Sequence, residues 1–138
     1  MSGTHIVDAC ALIALLNEEP GADVVEGVFK EALSDGVSLV MNKLNFLEVY
    51  YGLFREYDKA TADDLFDTVK ELPIRIQSEL TDDVTREAGR LKASYKISIA
   101  DSVALAEASV AGCTLLTSDH HEFDVIEKSE DIKFHWIR

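Results

Sequence analysis

The stretch of residues 97–124, ISIADSVALAEASVAGCTLLTSDHHEFD, constrains the fold more than any other part of the chain. Residues 100–111 are rich in alanine and almost uncharged, which predicts a helix that is packed on both sides. Gly112 is suited to end this helix, because glycine adopts the left-handed cap conformation without a Cβ penalty. The apolar run 113–116 then predicts a short strand buried in a parallel sheet, followed by a polar loop up to Asp124.

Two carboxylates interrupt this apolar background. Asp101 lies in the first turn of the predicted helix, and Asp119 lies just after the predicted strand. In a parallel α/β sheet the carboxyl ends of strands and the amino ends of helices share one edge, where ligands bind. We therefore expect Asp101 and Asp119 to meet at that edge.

Short strands alternate with one or two helices along the whole chain. The expected strands are residues 4–7, 37–41, 74–77, 113–116 and 133–137. The expected helices begin at residues suited to a cap or a first turn, which are Asp8, Pro20, Asn42, Thr61, Thr81 and Ser98. The helix from Thr61 is expected to reach Leu72, Asp35-Gly36 predicts a turn, and a short turn or helix is expected after Asp124. The alternation predicts a mostly parallel sheet covered by helices on both faces, an α/β fold.

Length and charge limit the possible classes of function. A chain of 138 residues with a hydrophobic fraction of 47% suits one domain, residues 1–138. Its net charge of −13 disfavours a broad electrostatic nucleic-acid surface and is compatible with a basic partner or an acidic metal site. The sequence shows no apolar run of membrane-spanning length and no basic leader, so we expect no membrane association and a cytoplasmic location. Cys10 and Cys113 lack metal-type spacing, which predicts two free, buried cysteines.

Four carboxylates are expected to converge at the ligand edge of the sheet. They are Asp8 at the tip of the first strand, Glu48 in the helix after the second strand, Asp101 and Asp119. Buried carboxylates are rare unless they are paired or bind metal, and no basic residue is adjacent to these four in the sequence. A divalent cation resolves their repulsion, and oxygen ligands favour Mg²⁺ or Mn²⁺ over zinc. Such a site can activate water for in-line attack on phosphorus.

Each of the four acids also has a purely structural interpretation. Asp8 is placed to cap the helix that follows it, and Asp101 is placed to interact with a helix dipole. Glu48 is equally compatible with an outward orientation on its helix, and Asp119 with an ordinary loop position. A single metal constellation explains all four residues together.

Polar residues around Asp119 are candidates for the outer part of such a site. Thr117 and Ser118 are placed either to orient a metal-bound water or to cap the next turn, and Asp124 is a further candidate. For His120 and His121 we favour a solvated or capping role over a metal or general-base role, because two adjacent histidines do not easily share one face.

Two further groups of side chains have open interpretations. The cations suited to phosphate contacts, or equally to a solvated surface, are Lys43, Arg55, Lys92 and Lys96. The aromatic residues Tyr50, Tyr51 and Phe54 suit either a hydrophobic core or a dimer interface.

These motifs together resemble a PIN domain, in particular the VapC-type toxin ribonucleases. The matching segments are IVDACALIALL around Asp8, NFLEVYYGL around Glu48, ISIADSVALAEA around Asp101 and LLTSDHHEFD around Asp119, in the family's order and over essentially the whole chain. The resemblance implies a three-layer α/β/α sandwich and Mg²⁺- or Mn²⁺-dependent endonucleolytic cleavage of single-stranded regions of RNA. It also implies a homodimer inhibited by a cognate antitoxin protein, with Asp8, Asp101 and Asp119 as metal ligands and Glu48 as ligand or water-positioning base.

Two positions depart from the pattern of many PIN relatives. Cys10 stands where they carry a hydroxyl or an asparagine, and Phe123 lies one residue later than their phenylalanine after the last aspartate. A catalytically inactive PIN-like protein-binding module is therefore the alternative hypothesis. A haloacid-dehalogenase-type phosphatase is disfavoured, because it needs an aspartate at the position of Cys10. Neither GxGxxG nor GxxxxGK[ST] occurs, which disfavours dinucleotide and P-loop enzymes.

Overall fold

A computed structural model describes residues 3–34 and 36–138 of the chain. The strands are β1 (Gly3–Val7), β2 (Val37–Asn42), β3 (Arg75–Gln77), β4 (Thr114–Thr117) and β5 (Lys133–Trp136). The helices are α1 (Ala9–Leu16), α2 (Ala22–Leu33), α3 (Lys43–Glu56), α4 (Lys59–Lys70), α5 (Asp82–Ser94), α6 (Ile99–Ala111) and α7 (His120–Ser129). Asp35 of the predicted turn lies outside the described residues.

The five strands form one sheet in the order β3-β2-β1-β4-β5, and every pairing is parallel. The predicted α/β class is confirmed, and the sheet is wholly rather than mostly parallel. Because all strands run in one direction, their carboxyl ends lie at one edge. That edge carries Asp8 after β1, Asn42 at the end of β2, and the turn after β4.

Two hydrophobic cores cover the two faces of the sheet. Val7, Met41 and Leu116 face the core formed with α1, α2, α3 and α4. Ile6, Val40 and Leu115 alternate with them and face the core formed with α5, α6 and α7. This alternation follows from the two-residue period of a strand and gives the predicted three-layer sandwich.

Most of the predicted helix termini agree with the structure. Asp8, Asn42, Thr81 and Ser98 are N-caps whose side chains accept backbone N–H groups, and Gly112 ends α6 with a φ of 64°. The helix predicted over residues 21–34, after Pro20, begins at Ala22 and ends at Leu33, and its N-cap Gly21 has a φ of 96°.

Three predicted boundaries are wrong, and two of them, both helix starts, are wrong for the same reason. Helix α4 is capped by Asp58 rather than Thr61, because Asp58 accepts the Thr61 N–H at 2.8 Å, and the helix ends at Lys70 rather than Leu72. The predicted polar loop 119–124 is largely helical, because Asp119 accepts the Glu122 N–H at 3.2 Å and starts α7 at His120. Both helices start earlier than predicted because an aspartate side chain caps them.

The two cysteines are free, as predicted, although each is only partly buried. Phe123 is fully buried in the core beneath α7. Tyr51 and Phe54 are not core residues, since about half of each side chain is exposed. Within the described part of the chain, no helix has the length and hydrophobicity of a membrane span.

Candidate metal centre

Both oxygens of the Asp8 carboxylate accept hydrogen bonds. Its Oδ1 accepts the Ala9 N–H at 2.9 Å, which is the N-cap bond of α1. Its Oδ2 accepts the Thr117 hydroxyl at 2.8 Å and the Cys10 thiol at 3.4 Å. Asp8 therefore caps its helix and also presents an oriented carboxylate at the edge of the sheet, so the two interpretations of this residue are compatible.

Glu48 faces inward from α3 and lines the same cavity as the three aspartates. The outward orientation that its sequence position allowed is wrong for this structure. Glu48 Oε1 accepts a hydrogen bond from Asn45 Nδ2 at 3.4 Å. Its position follows from the helical repeat, since Asn45 and Glu48 are three residues apart on one face of α3.

Asn45 is a residue at this site that the sequence motifs did not single out. Its side chain is fully buried, and its Nδ2 also donates to the carbonyl oxygen of Ala100 at 3.0 Å. Among the described residues, Asn45 Oδ1 has no hydrogen-bond partner. The signal available in the sequence was an amide in the buried face of α3, one turn before Glu48.

Asp101 and Asp119 enter the site from the amino ends of two helices. Asp101 lies in the first turn of α6, where its backbone N–H is bound by the Ser98 cap at 3.1 Å. Asp119 caps α7, and its own backbone N–H donates to the Thr117 hydroxyl at 3.1 Å. The positive ends of both helix dipoles favour carboxylates at these two positions.

The four acids line a single cavity of about 260 Å³. One carboxylate oxygen from each of Asp8, Glu48 and Asp101 can be chosen so that all three lie within 4.8 Å of one another. Metal–oxygen bonds of about 2.1 Å bring ligand oxygens to about 3–4 Å from each other, so a small inward movement suffices for a single Mg²⁺ or Mn²⁺. A larger cavity of about 540 Å³ lies at the start of α3, and its lining is almost wholly apolar.

The pKa values of Asp8, Glu48 and Asp101 are all raised, as expected for buried carboxylates with no positive charge nearby. Burial, followed by the charges of Asp8, Asp119 and Glu48, raises the pKa of Asp101 to about 7. Burial also raises the pKa of Asp8 and of Glu48, and these effects outweigh the hydrogen bonds that each carboxylate accepts. An all-oxygen, electron-rich donor set of this kind fits a hard divalent cation.

Of the residues predicted to surround the four acids, Thr117 and Ser118 lie next to the site and Asp124 does not. Thr117 joins Asp8 to the Asp119 backbone through its hydroxyl. The Ser118 N–H donates to Cys10 Sγ at 3.4 Å. Asp124 is exposed and bonds to His120 Nδ1 at 2.7 Å, away from the cavity lining.

Cys10 occupies the place of the hydroxyl or amide found in many PIN relatives. Its thiol lies 3.3 Å from the Thr117 hydroxyl and donates to Asp8 Oδ2. Burial, followed by the charge of Asp8, raises the pKa of Cys10 to about 12, so the thiol keeps its proton at neutral pH. The departure therefore preserves a hydrogen bond to Asp8.

The adjacent histidines lie outside the acidic cavity. The His120 ring stacks on Trp136 with 3.8 Å between ring centroids, and its Nε2 lies 2.8 Å from the carbonyl oxygen of Arg138. The hydrogen bond to Asp124 raises the pKa of His120. The side chain of His121 is almost fully exposed. Neither residue lines the cavity, in agreement with the non-catalytic interpretation.

Comparison with known proteins identifies a matching family model and several solved structures of similar fold. The PIN domain family model matches residues 5–128. No curated protein sequence matches the chain. Among solved structures, VapBC2 from Rickettsia felis, bound to a promoter DNA fragment, has a TM-score of 0.75 at 16% identity and covers 96% of this chain and 97% of its own. VapBC-1 from nontypeable Haemophilus influenzae has a TM-score of 0.71 at 17% identity and covers 97% of this chain and 98% of its own.

A third solved structure has a similar fold over a smaller share of the chain. VapC20 from Mycobacterium tuberculosis, described as a Sarcin-Ricin loop cleaving toxin, has a TM-score of 0.59 at 17% identity and covers 80% of this chain and 86% of its own. At these identities the structural similarity concerns the fold alone. The family model spans most of the sequence and includes all four acids of the cavity. The chain belongs to the PIN domain family.

Proposed function

We propose that this chain is a Mg²⁺- or Mn²⁺-dependent endoribonuclease that cleaves single-stranded regions of RNA. The observation that carries the proposal is the cluster of Asp8, Glu48 and Asp101 oxygens within 4.8 Å, with Asp119 in the same cavity. PIN domain membership and the solved toxin structures of the same fold support nuclease activity. Whether the four acids ligate metal stays a prediction.

The resemblance to PIN domains implies the roles of the four acids. Asp8, Asp101 and Asp119 would hold the cation, which when bound supplies positive charge to a phosphodiester and an acidified water. Thr117 and Cys10 orient Asp8 through their hydrogen bonds. Glu48 acts as a further ligand or positions the attacking water and accepts its proton, a role that suits a carboxylate whose pKa burial raises. No protein nucleophile is required.

We further propose that the chain is the toxin of a toxin–antitoxin pair. Similar structures from Rickettsia felis and Haemophilus influenzae are VapBC assemblies, and one from Klebsiella pneumoniae is described as a toxin-antitoxin complex. On this proposal the chain forms a single domain over residues 1–138, works as a homodimer in the cytoplasm, and is inhibited by a cognate antitoxin protein.

Cleavage of a mixed pool of structured and single-stranded RNA tests the enzymatic proposal. The purified chain is assayed with Mn²⁺, with Mg²⁺ and with EDTA, beside Asp101→Asn and the matched control Asp67→Asn. Asp67 is suited to this control because its side chain is 86% exposed on α4, outside the cavity. We expect metal-dependent cleavage by the wild type and by Asp67→Asn, and none by Asp101→Asn.

The other outcomes separate the alternatives. Cleavage that persists in Asp101→Asn or in EDTA would show that the acidic cavity is not the active site. A wild-type chain that neither cleaves RNA nor gains thermal stability with Mn²⁺ would instead be the inactive protein-binding module.

A further inference from the structure

The lining of the acidic cavity also includes residues that carry no charge. Ile13, Tyr51 and Gly52 line it together with the four carboxylates. Tyr51 lies three residues after Glu48 on α3, so the helical repeat places both residues on one face of the helix, and both line the cavity. The Tyr51 side chain is 45% exposed, which leaves an aromatic surface open to a ligand held at the acids.

The guanidinium of Arg55 stacks on the Tyr51 ring. Arg55 lies one helical turn beyond Tyr51, and its guanidinium carbon is 5.2 Å from the centre of the Tyr51 ring. Such stacking holds the guanidinium close to the ring while its N–H groups stay available. Within the described ranges, Arg55 forms no ion pair with a carboxylate.

The negative net charge of the chain gives the Tyr51–Arg55 pair a role in binding an anionic substrate. The chain carries a net charge of −13, and no lysine or arginine occurs among the described residues that line the acidic cavity. A polyanionic substrate is therefore repelled over most of the surface and needs a local cation beside the cavity. Arg55 is a cation that the structure connects to the cavity wall, through Tyr51.

We propose that Tyr51 and Arg55 form a substrate platform, on which a nucleobase of single-stranded RNA stacks while the guanidinium contacts a neighbouring phosphate. This inference rests on the proposed ribonuclease function and adds to it the residues that bind the strand. Unstacked bases of single-stranded RNA are commonly bound on aromatic rings and arginine planes. The platform tolerates any base, because every base has a π face.

A protein partner is the competing occupant of this surface. Leu47 and Phe54 are also exposed on α3, so an apolar stripe continues on either side of Tyr51. We favour RNA because Arg55, stacked on Tyr51, offers a cation to a phosphate next to the cavity in which the proposed metal would bind the scissile phosphate. Tyr51 also differs from Leu47 and Phe54 in lining the acidic cavity.

Binding of a labelled single strand of about 12 nucleotides, measured by fluorescence anisotropy, tests the proposal. All variants carry Asp101→Asn to prevent cleavage, and the comparison set is Tyr51→Ala, Tyr51→Phe and Arg55→Ala. The matched controls are Tyr57→Ala, an exposed tyrosine after α3, and Arg75→Ala, an exposed arginine at the start of the outer strand β3. Neither control residue lines the acidic cavity.

We expect Tyr51→Ala to weaken RNA binding by about tenfold, and Tyr51→Phe to retain the wild-type affinity because the ring is kept. Arg55→Ala should also lower the slope of log K against log salt by about 0.7, the value for one phosphate of a single strand. Both controls should leave affinity and slope unchanged.

Two results would overturn the platform. One is RNA affinity and salt slope that are the same in Tyr51→Ala, Arg55→Ala and the parent protein. The other is unchanged RNA affinity together with an altered oligomeric state by light scattering, which would assign the stripe to a protein interface. If the wild type cleaves RNA in either case, only this inference fails. If it neither binds nor cleaves RNA, the proposed function fails as well.

Discussion

Asn45 joins the helix that carries Glu48 to the helix that carries Asp101, because its Nδ2 donates a 3.0 Å hydrogen bond to the carbonyl oxygen of Ala100. The same nitrogen donates to Glu48 Oε1 at 3.4 Å. The amide thus links the Glu48 carboxylate to the backbone of α6, one residue before Asp101. The amide oxygen remains buried without a partner in the described part of the chain, which costs about 1–3 kcal/mol.

Replacing Asn45 with alanine is expected to weaken Mn²⁺ binding about tenfold, because partners that orient metal ligands contribute on that scale. Isothermal titration calorimetry gives the affinity, and thermal unfolding gives the accompanying loss of stability. Ser109→Ala is the matched control, since it removes the 2.6 Å bond from α6 to Glu87 outside the cavity. Equal Mn²⁺ affinities in the wild type and Asn45→Ala would contradict a positioning role.

The pKa of Asp101 predicts how the metal-free protein responds to pH. The carboxyl has a pKa of about 7 in the folded chain against an ordinary value of 3.8, so the folded state binds more protons between these values. The contribution of Asp101 to stability is therefore lost as pH rises from about 4 to about 7. In EDTA at about pH 8, we expect Asp101→Asn to be about 2 kcal/mol more stable than the wild type, after allowance for solvent screening.

Urea unfolding at about pH 4 and about pH 8 measures this difference. The gain should be much smaller at the lower pH, where Asp101 is protonated in the folded state and partly protonated in the unfolded chain, and Asp67→Asn should show no such pattern. A lower stability of Asp101→Asn than of the wild type at about pH 8 would show that repulsion among the acids is not the dominant effect.

His5 predicts a second pH response with the opposite sign. Its Nε2 lies 3.4 Å from His135 Nδ1, and burial followed by the charge of His135 lowers its pKa below 6.5, with partial compensation from Glu31. The unfolded chain therefore takes up a proton more readily, and stability falls as pH drops below about 6.5.

We expect His5→Gln to remove part of this acid sensitivity, because the glutamine does not titrate. His121→Gln is the matched control, since the side chain of His121 is 93% exposed. Thermal unfolding between about pH 5 and about pH 7 measures the change. Identical acid sensitivity in the wild type and His5→Gln would rule out this source.

Two glycines on either side of the start of α2 predict opposite effects of the same substitution. Gly21 has a φ of 96°, and a Cβ atom there would lie 2.7 Å from the carbonyl oxygen of Ile137. Gly21→Ala is expected to destabilise the protein by about 2 kcal/mol or more. Gly27 lies within α2 with open space around it, so Gly27→Ala should stabilise by about 0.5–1 kcal/mol. Urea unfolding measures both changes, and a neutral Gly21→Ala would show that the C-terminal segment can move away.

Local patterns were sufficient for much of the architecture. The alternation of short apolar runs with amphipathic segments predicted the five strands and the parallel sheet, because periodicity and crossover handedness are properties of the chain itself. The local pattern does not predict the helix starts at Asp58 and Asp119. Several polar side chains near each start are able to cap the helix, and the path of the chain into the helix decides which one does.

The sequence by itself determined the α/β class and the convergence of Asp8, Asp101 and Asp119 on one cavity, because a carboxylate at the end of a parallel strand or the start of a helix is directed to the same edge. Only the tertiary structure decided the inward orientation of Glu48, the bridge from Asn45 to Ala100, and the place of Tyr51 in the wall of that cavity. These features depend on how α3 packs against α1 and α6. That packing is set by contacts between residues that are far apart in the sequence, which no local pattern encodes.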